Sequence, residues 1–276
     1  MNPICYKIIA SDLDGTLMYS RDMVSAENEK AIKELKEKGV IFALNSGRTF
    51  SEMPAVLRDN PDIRYYICAD GAAVYDKQTG ERNCACLSQE LVAKIFPVLK
   101  KYDASISLRH VGKSYIDKNV SNEAEWNAHR IPLLYQEFLK YYDIMMDDFE
   151  AFCLSLDEVE MLCVWFPTAE RLNACKAELE RIDGVMVDSS DPLNLEIISS
   201  KAGKGSALLR MADMLGIAHE ETIAVGDGPN DFHMIRAAGL GLATSNACPE
   251  LKELADDIIC SNEEHIAKYI LEHYIQ

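Results

Sequence analysis

Basic residues are scarce in this 276-residue sequence, in which 28 Lys and Arg stand against 45 Asp and Glu, giving a formal net charge of -17. A chain this acidic repels polyanions, so we expect no nucleic-acid partner, and a small anionic substrate would need a local cationic pocket or a metal. No apolar run approaches the roughly 20 residues of a membrane span, and the N-terminal stretch lacks the basic start and long apolar core of a secretion signal. We therefore expect a cytoplasmic protein without a membrane partner.

The sequence also lacks the cysteine patterns and catalytic motifs of several protein classes. Its nine cysteines are an odd number without a CxxC pair, which favours free thiols over a disulfide framework or a zinc site. GxSxG and HExxH are absent. The run at residues 203–206 lacks the earlier glycine of a nucleotide phosphate loop, and the run at 226–228 lacks the third glycine of a dinucleotide site. Residues 12–17 lack the oxygen ligands of a calcium loop.

Short apolar runs alternate with amphipathic helices near both ends of the sequence. Residues 8–10 predict a buried strand. Residues 25–39 predict a helix, because Ser25 can cap its start, lysines occupy its last turn and Gly39 can end it. Strands that alternate with helices pair in parallel, so we expect an α/β fold with a doubly wound, Rossmann-like parallel sheet.

The middle of the chain has a different composition, because glycines become rare and long amphipathic helices dominate between about residues 84 and 189. We expect residues 84–189 to form an inserted α+β domain, and residues 1–83 and 190–276 to form the core. A strand at 195–198 and helices at 50–57 and 229–238 then belong to the core. The acidic run at 142–150 is expected to be a solvated face or a loop.

Polar groups that could carry chemistry follow the predicted strands at four places. They are Asp12 and Asp14, Ser46-Gly47-Arg48, Lys204 at a helix start, and Gly226-Asp227-Gly228-Pro229-Asn230-Asp231. Each alone could be an ordinary turn, because Asp and Gly are common turn residues. Ligands of open α/β sheets, however, bind beyond the carboxyl ends of the strands, so the four places together predict one shared site.

Carboxylates that converge on one place repel each other and bind protons unless a cation neutralises them. Oxygen ligands without His or Cys favour Mg²⁺, which commonly takes a few carboxylates together with a substrate phosphate. The hydroxyl of Ser46, the ammonium of Lys204 and helix N-terminal amides suit phosphate oxygens. The implied chemistry is phosphoryl transfer, in which one acid attacks phosphorus and the second supplies or removes a proton.

The motifs DLDGTL, NSGR, KG at Lys204-Gly205 and GDGPND follow in this order, with a long insertion between the second and the third. With this arrangement the chain resembles the haloacid dehalogenase (HAD) superfamily of phosphatases, and in particular the Cof-type sugar-phosphate phosphatases with a large α/β cap. The resemblance covers nearly all of the core, including ADGAAVYD and NACPELKELADDII. It implies that the inserted domain is a cap that determines substrate specificity.

The resemblance also implies a role for each motif residue. Asp12 would attack phosphorus and form an aspartyl-phosphate, and Asp14 would protonate the leaving oxygen and then activate the hydrolytic water. Mg²⁺ would be held by Asp12, the backbone carbonyl of Asp14 and Asp227, with Asp231 nearby. The phosphate would be held by Ser46, the amides of Leu13 and Gly47, Lys204 and Asn230.

Two positions near the motifs depart from the family pattern. Ser46 stands where Thr is frequent, and this exchange keeps the hydroxyl. Asp70 stands where Asn is common, and the added negative charge either alters substrate preference or faces solvent. In the inserted domain, a structural or solvated role is expected for several tempting substrate contacts, namely Arg109, His110, Tyr115, Trp126, His129 and Arg130.

We therefore expect a Mg²⁺-dependent phosphomonoester hydrolase that acts on small phosphorylated metabolites, such as sugar phosphates or cofactor phosphates. Two alternatives stay open. A phosphotransferase or phosphomutase would share the aspartyl-phosphate and pass it to a sugar hydroxyl. A non-catalytic phosphometabolite-binding protein would keep the fold without turnover.

Overall fold

A computed structural model describes residues 5–20 and 23–275. In chain order the strands are β1 (Ile8–Ser11), β2 (Ile41–Asn45), β3 (Tyr65–Cys68), β4 (Ala73–Asp76), β5 (Arg82–Cys84), β6 (Ser105–His110), β7 (Lys113–Asp117), β8 (Asp143–Met146), β9 (Met161–Trp165), β10 (Val185–Asp188), β11 (Asn194–Ser199), β12 (Thr222–Gly226), β13 (Leu240–Thr244) and β14 (Asp257–Ile259). The helices are α1 (Ala26–Glu37), α2 (Ala55–Arg58), α3 (Gln89–Lys101), α4 (Glu123–Ala128), α5 (Leu133–Tyr142), α6 (Phe149–Ser155), α7 (Ala169–Leu179), α8 (Lys204–Leu215), α9 (Phe232–Ala237), α10 (Pro249–Leu254) and α11 (Ile266–Tyr274). The chain forms two compact units. The first comprises the described residues up to 47, residues 53–83 and the described residues from 203 onward, and the second comprises residues 48–52 and 84–202.

The first unit is built on an eight-stranded sheet in the order β14, β13, β12, β1, β2, β3, β4, β5. Pairing is parallel from β14 through β3, and β4 runs antiparallel to β3. From β1 the chain proceeds to β2 and β3 on one side and later adds β12 and β13 on the other, so the strand order reverses at β1. The predicted doubly wound parallel sheet is confirmed, and β1 marks the switch point at which such sheets bind ligands.

Helices cover both faces of this sheet. Ile8 and Ala10 of β1 share a buried cluster with Leu208 and Met211 of α8. Ile9 points to the opposite face, because side chains alternate along a strand, and it is fully buried as well. The continuous apolar run of β1 therefore reflects burial on both faces, as is usual for a central parallel strand.

The helix predicted at residues 25–39 is α1. The Ser25 hydroxyl accepts a hydrogen bond from the Asn28 amide at 3.2 Å, and Gly39 takes a φ of +79° just beyond the helix. Asn28 Oδ1 in turn accepts the Ala267 amide of α11 at 2.9 Å, which ties α1 to the last helix of the chain. Both end signals identified in the sequence are confirmed.

The second unit contains a six-stranded sheet in the order β10, β11, β9, β6, β7, β8, which is antiparallel except for the β7–β8 pair. One face of the sheet packs against α3, α6 and α7 through apolar side chains such as Leu99, Cys153 and Leu179. This mixture of a largely antiparallel sheet with helices on one face is the predicted α+β arrangement.

The strand predicted at residues 195–198 exists as β11, but its predicted placement in the core sheet is wrong. β11 pairs with β9 and β10 in the second sheet, and Leu195 and Ile197 belong to the apolar cluster of the second unit. The chain therefore leaves the second unit after Ala202, which corrects the predicted boundary at 189–190. Apolar alternation identifies a strand, but it does not say which sheet the strand joins.

Three further predictions need correction. Residues 50–57 form a 3-10 turn at Phe50–Glu52 and then α2, and the predicted helix at 229–238 begins with a 3-10 turn at Pro229–Asp231. The acidic run at 142–150 is exposed at Asp147, Asp148 and Glu150, as expected, but it contains β8, and the side chain of Asp143 is only 1% exposed. Among the helices of the described ranges, none is long and apolar enough to cross a membrane.

Candidate active site

Two strand ends meet at the switch point of the first sheet. β1 and β12 pair in parallel with Ser11 opposite Val225. The Asp12 amide donates to the Val225 carbonyl at 3.0 Å and so continues the ladder one residue beyond β1. Because parallel strands deliver their carboxyl ends to one edge, Asp12 and Asp227 become neighbours although they are far apart in sequence.

The turn after Asp12 closes on Asp227. Gly15 has a φ of +85°, and a Cβ at this position would lie 2.4 Å from Asp227 Oδ2, so a larger residue would displace that carboxylate. Thr16 Oγ1 donates to Asp227 Oδ1 at 2.7 Å. Thr16 was not predicted as a site residue, although its hydroxyl directly follows the glycine of the first motif.

Asp231 organises the loop that follows β12. Its Oδ2 accepts hydrogen bonds from the amides of Asp227 and Gly228 at 3.0 and 3.1 Å. A Cβ at Gly226 would lie 2.5 Å from the same oxygen, so glycine lets the carboxylate approach the strand end. Hydrogen bonds from amides to a carboxylate are charge-assisted, and they hold this loop in one conformation.

Lys204 brings a positive charge to these acids. It is the first residue of α8, and its Nζ lies 2.6 Å from Asp12 Oδ1 and 2.7 Å from Asp231 Oδ1, with its side chain 1% exposed. Burial disfavours the charged ammonium, but Asp12 and Asp231 outweigh burial and raise the pKa of Lys204 well above its ordinary value. Lys204 is therefore protonated in the folded protein.

The acids of the site carry more negative charge than Lys204 neutralises. Burial raises the pKa of Asp12 well above its ordinary value, Lys204 opposes this rise, and Asp231 and Asp227 add to it. Burial also raises the pKa of Asp227, against the hydrogen bond from Thr16. A further positive charge at this place would lower both pKa values.

The three acids fit a divalent cation. Asp12, Asp227 and Asp231 each offer a carboxylate oxygen, and these oxygens lie within 4.8 Å of one another. Ligands that are all oxygen suit hard cations, and the excess of negative charge is what such a cation relieves. The cluster can therefore hold a divalent metal ion.

Ser46 and Gly47 lie at the carboxyl end of β2, beside Asp70. The Ser46 amide donates to the Ile67 carbonyl at 3.0 Å, and the Ser46 carbonyl accepts the Asp70 amide at 3.2 Å. A Cβ at Gly47 would lie 3.2 Å from both carboxylate oxygens of Asp70. Asp70 is buried, and its charge also acts on Lys204, so the alternative in which it faces solvent is excluded.

Leu13, Asp14 and Asn230 flank the three acids. Leu13 is buried in the turn after β1, whereas Asp14 is exposed and does not belong to the group of acids within 4.8 Å. Asn230 lies in the loop that carries Asp227, and a Cβ at Gly228 would lie 3.0 Å from its Oδ1. The structure brings Lys204 and three of the four predicted acids together, and it leaves the Asp14 side chain at the rim.

Comparison with known proteins decides the family. The profile of the haloacid dehalogenase-like hydrolases matches residues 9–270. The chain belongs to this family. This hydrolase is 29% identical to phosphatase YwpJ of Bacillus subtilis (strain 168), over 98% of this chain and 100% of that protein. It is 28% identical to the 5-amino-6-(5-phospho-D-ribitylamino)uracil phosphatase YcsE of the same organism, over 96% of this chain and 94% of that protein.

Solved structures of related proteins agree with the fold of the hydrolase. A haloacid dehalogenase-like hydrolase from Bacteroides thetaiotaomicron matches with a TM-score of 0.79 at 26% identity, over 98% of this chain and 100% of that chain. A haloacid dehalogenase-like hydrolase from B. subtilis matches with a TM-score of 0.80 at 26% identity, with the same coverage of 98% and 100%. The resemblance to HAD phosphatases of the Cof type is confirmed, and the hydrolase is a phosphatase.

The second unit of the hydrolase holds a buried charge network that no sequence pattern predicted. Arg109 donates to the Tyr135 hydroxyl at 2.9 Å and lies 3.4 Å from Glu52 and 4.0 Å from Asp143. Burial raises the pKa of Asp143 to about 7, although Arg109 lowers it. Its partners are distant in sequence, so no local pattern marks Asp143 as buried.

Proposed function

We propose that this hydrolase releases inorganic phosphate from small phosphorylated metabolites, such as sugar phosphates or cofactor phosphates, with Mg²⁺ as its metal. The main support is the contact of Lys204 with Asp12 and Asp231, beside Asp227 at the switch point. This arrangement joins a nucleophilic oxygen, a fixed positive charge and metal-binding oxygens, which are the groups that phosphoryl transfer needs. Two relatives are named phosphatases of a phosphorylated ribitylaminouracil, which supports a small phosphorylated metabolite as substrate.

In this proposal Asp12 is the nucleophile and Asp14 the acid and base. A carboxylate oxygen of Asp12 attacks phosphorus, the bond from phosphorus to the leaving oxygen breaks, and an aspartyl-phosphate forms. Asp14 gives its proton to the leaving oxygen, and its rim position leaves its side chain accessible to a substrate and to water. It then takes a proton from the attacking water, and hydrolysis of the aspartyl-phosphate regenerates Asp12 and frees phosphate.

The other residues hold charge in place. Lys204 orients Asp12 and offers its ammonium to the phosphate oxygens, and it needs no reorganisation because Asp231 already fixes it. Ser46, the amides of Leu13 and Gly47, and Asn230 are proposed to complete the phosphate site. A bound Mg²⁺, held by Asp12, the Asp14 carbonyl and Asp227 with Asp231 nearby, would neutralise charge on the transferring phosphoryl group.

The second unit corresponds to the inserted cap domain that the sequence resemblance implies. We assign substrate specificity to it, as in the Cof-type phosphatases that the chain resembles.

A panel of phosphorylated metabolites tests the proposal, with released phosphate measured in the presence of Mg²⁺ and of EDTA. We expect Mg²⁺-dependent release, and Asp12→Asn should lower kcat by at least about 1,000-fold while the circular dichroism spectrum stays unchanged. Asp59→Asn is the matched control, because its side chain is 69% exposed and belongs to the same unit.

Three outcomes would contradict the proposal. No metal-dependent release across the panel would exclude this hydrolysis. Transfer of the phosphoryl group to a sugar hydroxyl without free phosphate would identify a phosphotransferase instead. Binding of phosphorylated compounds without release would identify a binding protein.

A further inference from the structure

The chain enters the second unit directly after the phosphate-binding residues that we propose. Ser46 is hydrogen-bonded to Ile67 and Asp70 within the first unit. Residues 48–52, which follow Ser46 and Gly47, belong to the second unit by their contacts. We call residues 48–52 the anchor segment.

Glu52 fastens the anchor segment to the second sheet. Its Oε2 accepts the Thr49 amide at 2.7 Å, and its Oε1 accepts the Ser114 hydroxyl at 2.6 Å and lies 3.4 Å from Arg109 NH2. Arg109 belongs to β6 and Ser114 to β7, so one side chain connects the segment to two strands. Only 4% of Glu52 is exposed, which makes these partners necessary for a charged group.

Glu52 keeps its charge in this buried position. Burial favours the neutral form, but Arg109, the Ser114 hydroxyl and the Thr49 amide together lower the pKa of Glu52 below its ordinary value. Arg109 is itself held by the Ser107 hydroxyl at 3.1 Å and by Tyr135. The ion pair of Glu52 and Arg109 is therefore supported by several hydrogen bonds, and it holds the anchor segment more rigidly than a surface turn is held.

The anchor segment also holds Arg48, the residue next to Gly47, through the backbone of Glu52, whose position the Glu52 side chain fixes. Arg48 NH1 donates to the Glu52 carbonyl at 3.2 Å, and its guanidinium lies 4.9 Å from the centre of the Phe138 ring on α5. The Ser51 amide adds a hydrogen bond to the Gly112 carbonyl at 2.9 Å. Both ends of the short segment are thus fixed, and its first end is bonded to Gly47.

We propose that Glu52 is a positioning residue of the phosphatase, which holds Arg48 and the adjoining Ser46-Gly47 loop in the conformation that binds the phosphate group. The proposal rests on the function proposed above. Its physical reason is preorganisation, because a loop that is already ordered loses little conformational entropy when the phosphate binds. Ser46 keeps its hydrogen bonds to Ile67 and Asp70 without the Glu52 side chain, but Arg48 and Gly47 at the other end of the loop lose part of their order. The ligand must then supply that order, and phosphate affinity falls.

The test uses the full-length protein and two separate readouts. Isothermal titration with inorganic phosphate and with orthovanadate, in Mg²⁺, measures the phosphate site without turnover, and steady-state kinetics measure kcat and KM. Glu52→Ala should weaken phosphate binding and raise KM by about 10-fold each, with a smaller change in kcat. Glu52→Gln keeps the size and an acceptor oxygen, so it should recover part of the affinity.

Two further variants separate positioning from a general loss of stability. Ser114→Ala removes one hydrogen bond to Glu52 from a distant strand and should weaken phosphate binding by about 3-fold. Glu196→Gln is the matched control, because Glu196 is a buried glutamate of the same unit and accepts a hydrogen bond from the Ser190 hydroxyl. The phosphate affinity of this variant should equal that of the wild type.

The outcomes distinguish this proposal from the proposed function. Unchanged phosphate affinity in Glu52→Ala, together with a lower unfolding midpoint, would make Glu52 a structural residue only. If Glu52→Ala does not fold, unchanged affinity in Glu52→Gln and Ser114→Ala would overturn the proposal in the same way. A wild type that binds phosphate but releases none from any ester would overturn the proposed function, and the binding data would still decide the role of Glu52.

Discussion

Lys204→Met should destabilise the first unit, because it leaves the buried carboxylates of Asp12 and Asp231 without their cation. Lys204 Nζ lies 2.6 Å from Asp12 and 2.7 Å from Asp231. At these distances and an effective dielectric constant of about 20, each attraction amounts to about 6 kcal/mol before the desolvation of the lysine is subtracted. Breaking a buried ion pair by removing one partner lowers the free energy of unfolding by about 3 to 5 kcal/mol, and we expect a loss of this size in EDTA.

The loss should depend on pH and on metal in a defined direction. Without Lys204, burial and the neighbouring acids raise the folded-state pKa of Asp12 still further above its unfolded value. The folded variant then binds more protons than the unfolded chain, so its stability falls as pH rises, and its deficit should be larger near pH 8 than near about pH 5. Mg²⁺ supplies the missing positive charge, so it should stabilise the variant more than the wild type.

Urea unfolding at both pH values, in EDTA and in excess Mg²⁺, measures these effects. Lys201→Met is the matched control, because Lys201 is exposed three residues earlier, and its free energy of unfolding should change by less than about 0.5 kcal/mol. Equal unfolding midpoints for Lys204→Met and the wild type in EDTA at both pH values would refute the reasoning. The charge of Lys204 would then not be what compensates the acids.

Three further predictions concern buried charges. Asp143→Asn should remove a pH dependence of the free energy of unfolding. The folded-state pKa of Asp143, raised to about 7, makes the wild type lose up to about 4 kcal/mol of stability as pH rises from about 4 to 7. The same pH dependence in urea unfolding of both proteins over this range would contradict this prediction. Arg109→Met leaves Glu52 and Asp143 buried without their cation and should lower the free energy of unfolding by about 3 to 5 kcal/mol, whereas a loss below about 1 kcal/mol would show that the network contributes little. Asp70→Asn removes a negative charge beside Gly47 and should make inhibition by inorganic phosphate about 3- to 10-fold tighter. An unchanged inhibition constant would place that charge outside the phosphate site.

Most of the core could be predicted because its signals are local. The apolar run of β1, the cap at Ser25 and the αL glycine after α1 each act within a few residues of the element they define. The candidate acids could be predicted as well, because a carboxylate that directly follows a parallel strand lies at the sheet edge wherever the strand is placed.

The failures share a different cause, which is pairing over long sequence separations. β11 has the alternation of any strand, and only its hydrogen bonds to β9 and β10 assign it to the second sheet. Asp143 lies in an acidic run that is typical of a solvated surface, yet β8 carries it next to Arg109. Glu52 gives no signal of its own, because its partners Arg109 and Ser114 lie more than fifty residues later in the chain.

The amino-acid sequence by itself determined the alternation of strands and helices, the two-part core around an insertion, and the chemical groups of the site. Only the tertiary structure decided that Lys204 lies between Asp12 and Asp231, that Thr16 binds Asp227, and that the segment after Ser46-Gly47 is anchored by Glu52. The physical reason is that helix ends and strand patterns depend on neighbouring residues, whereas contacts between distant residues depend on strand order and sheet register.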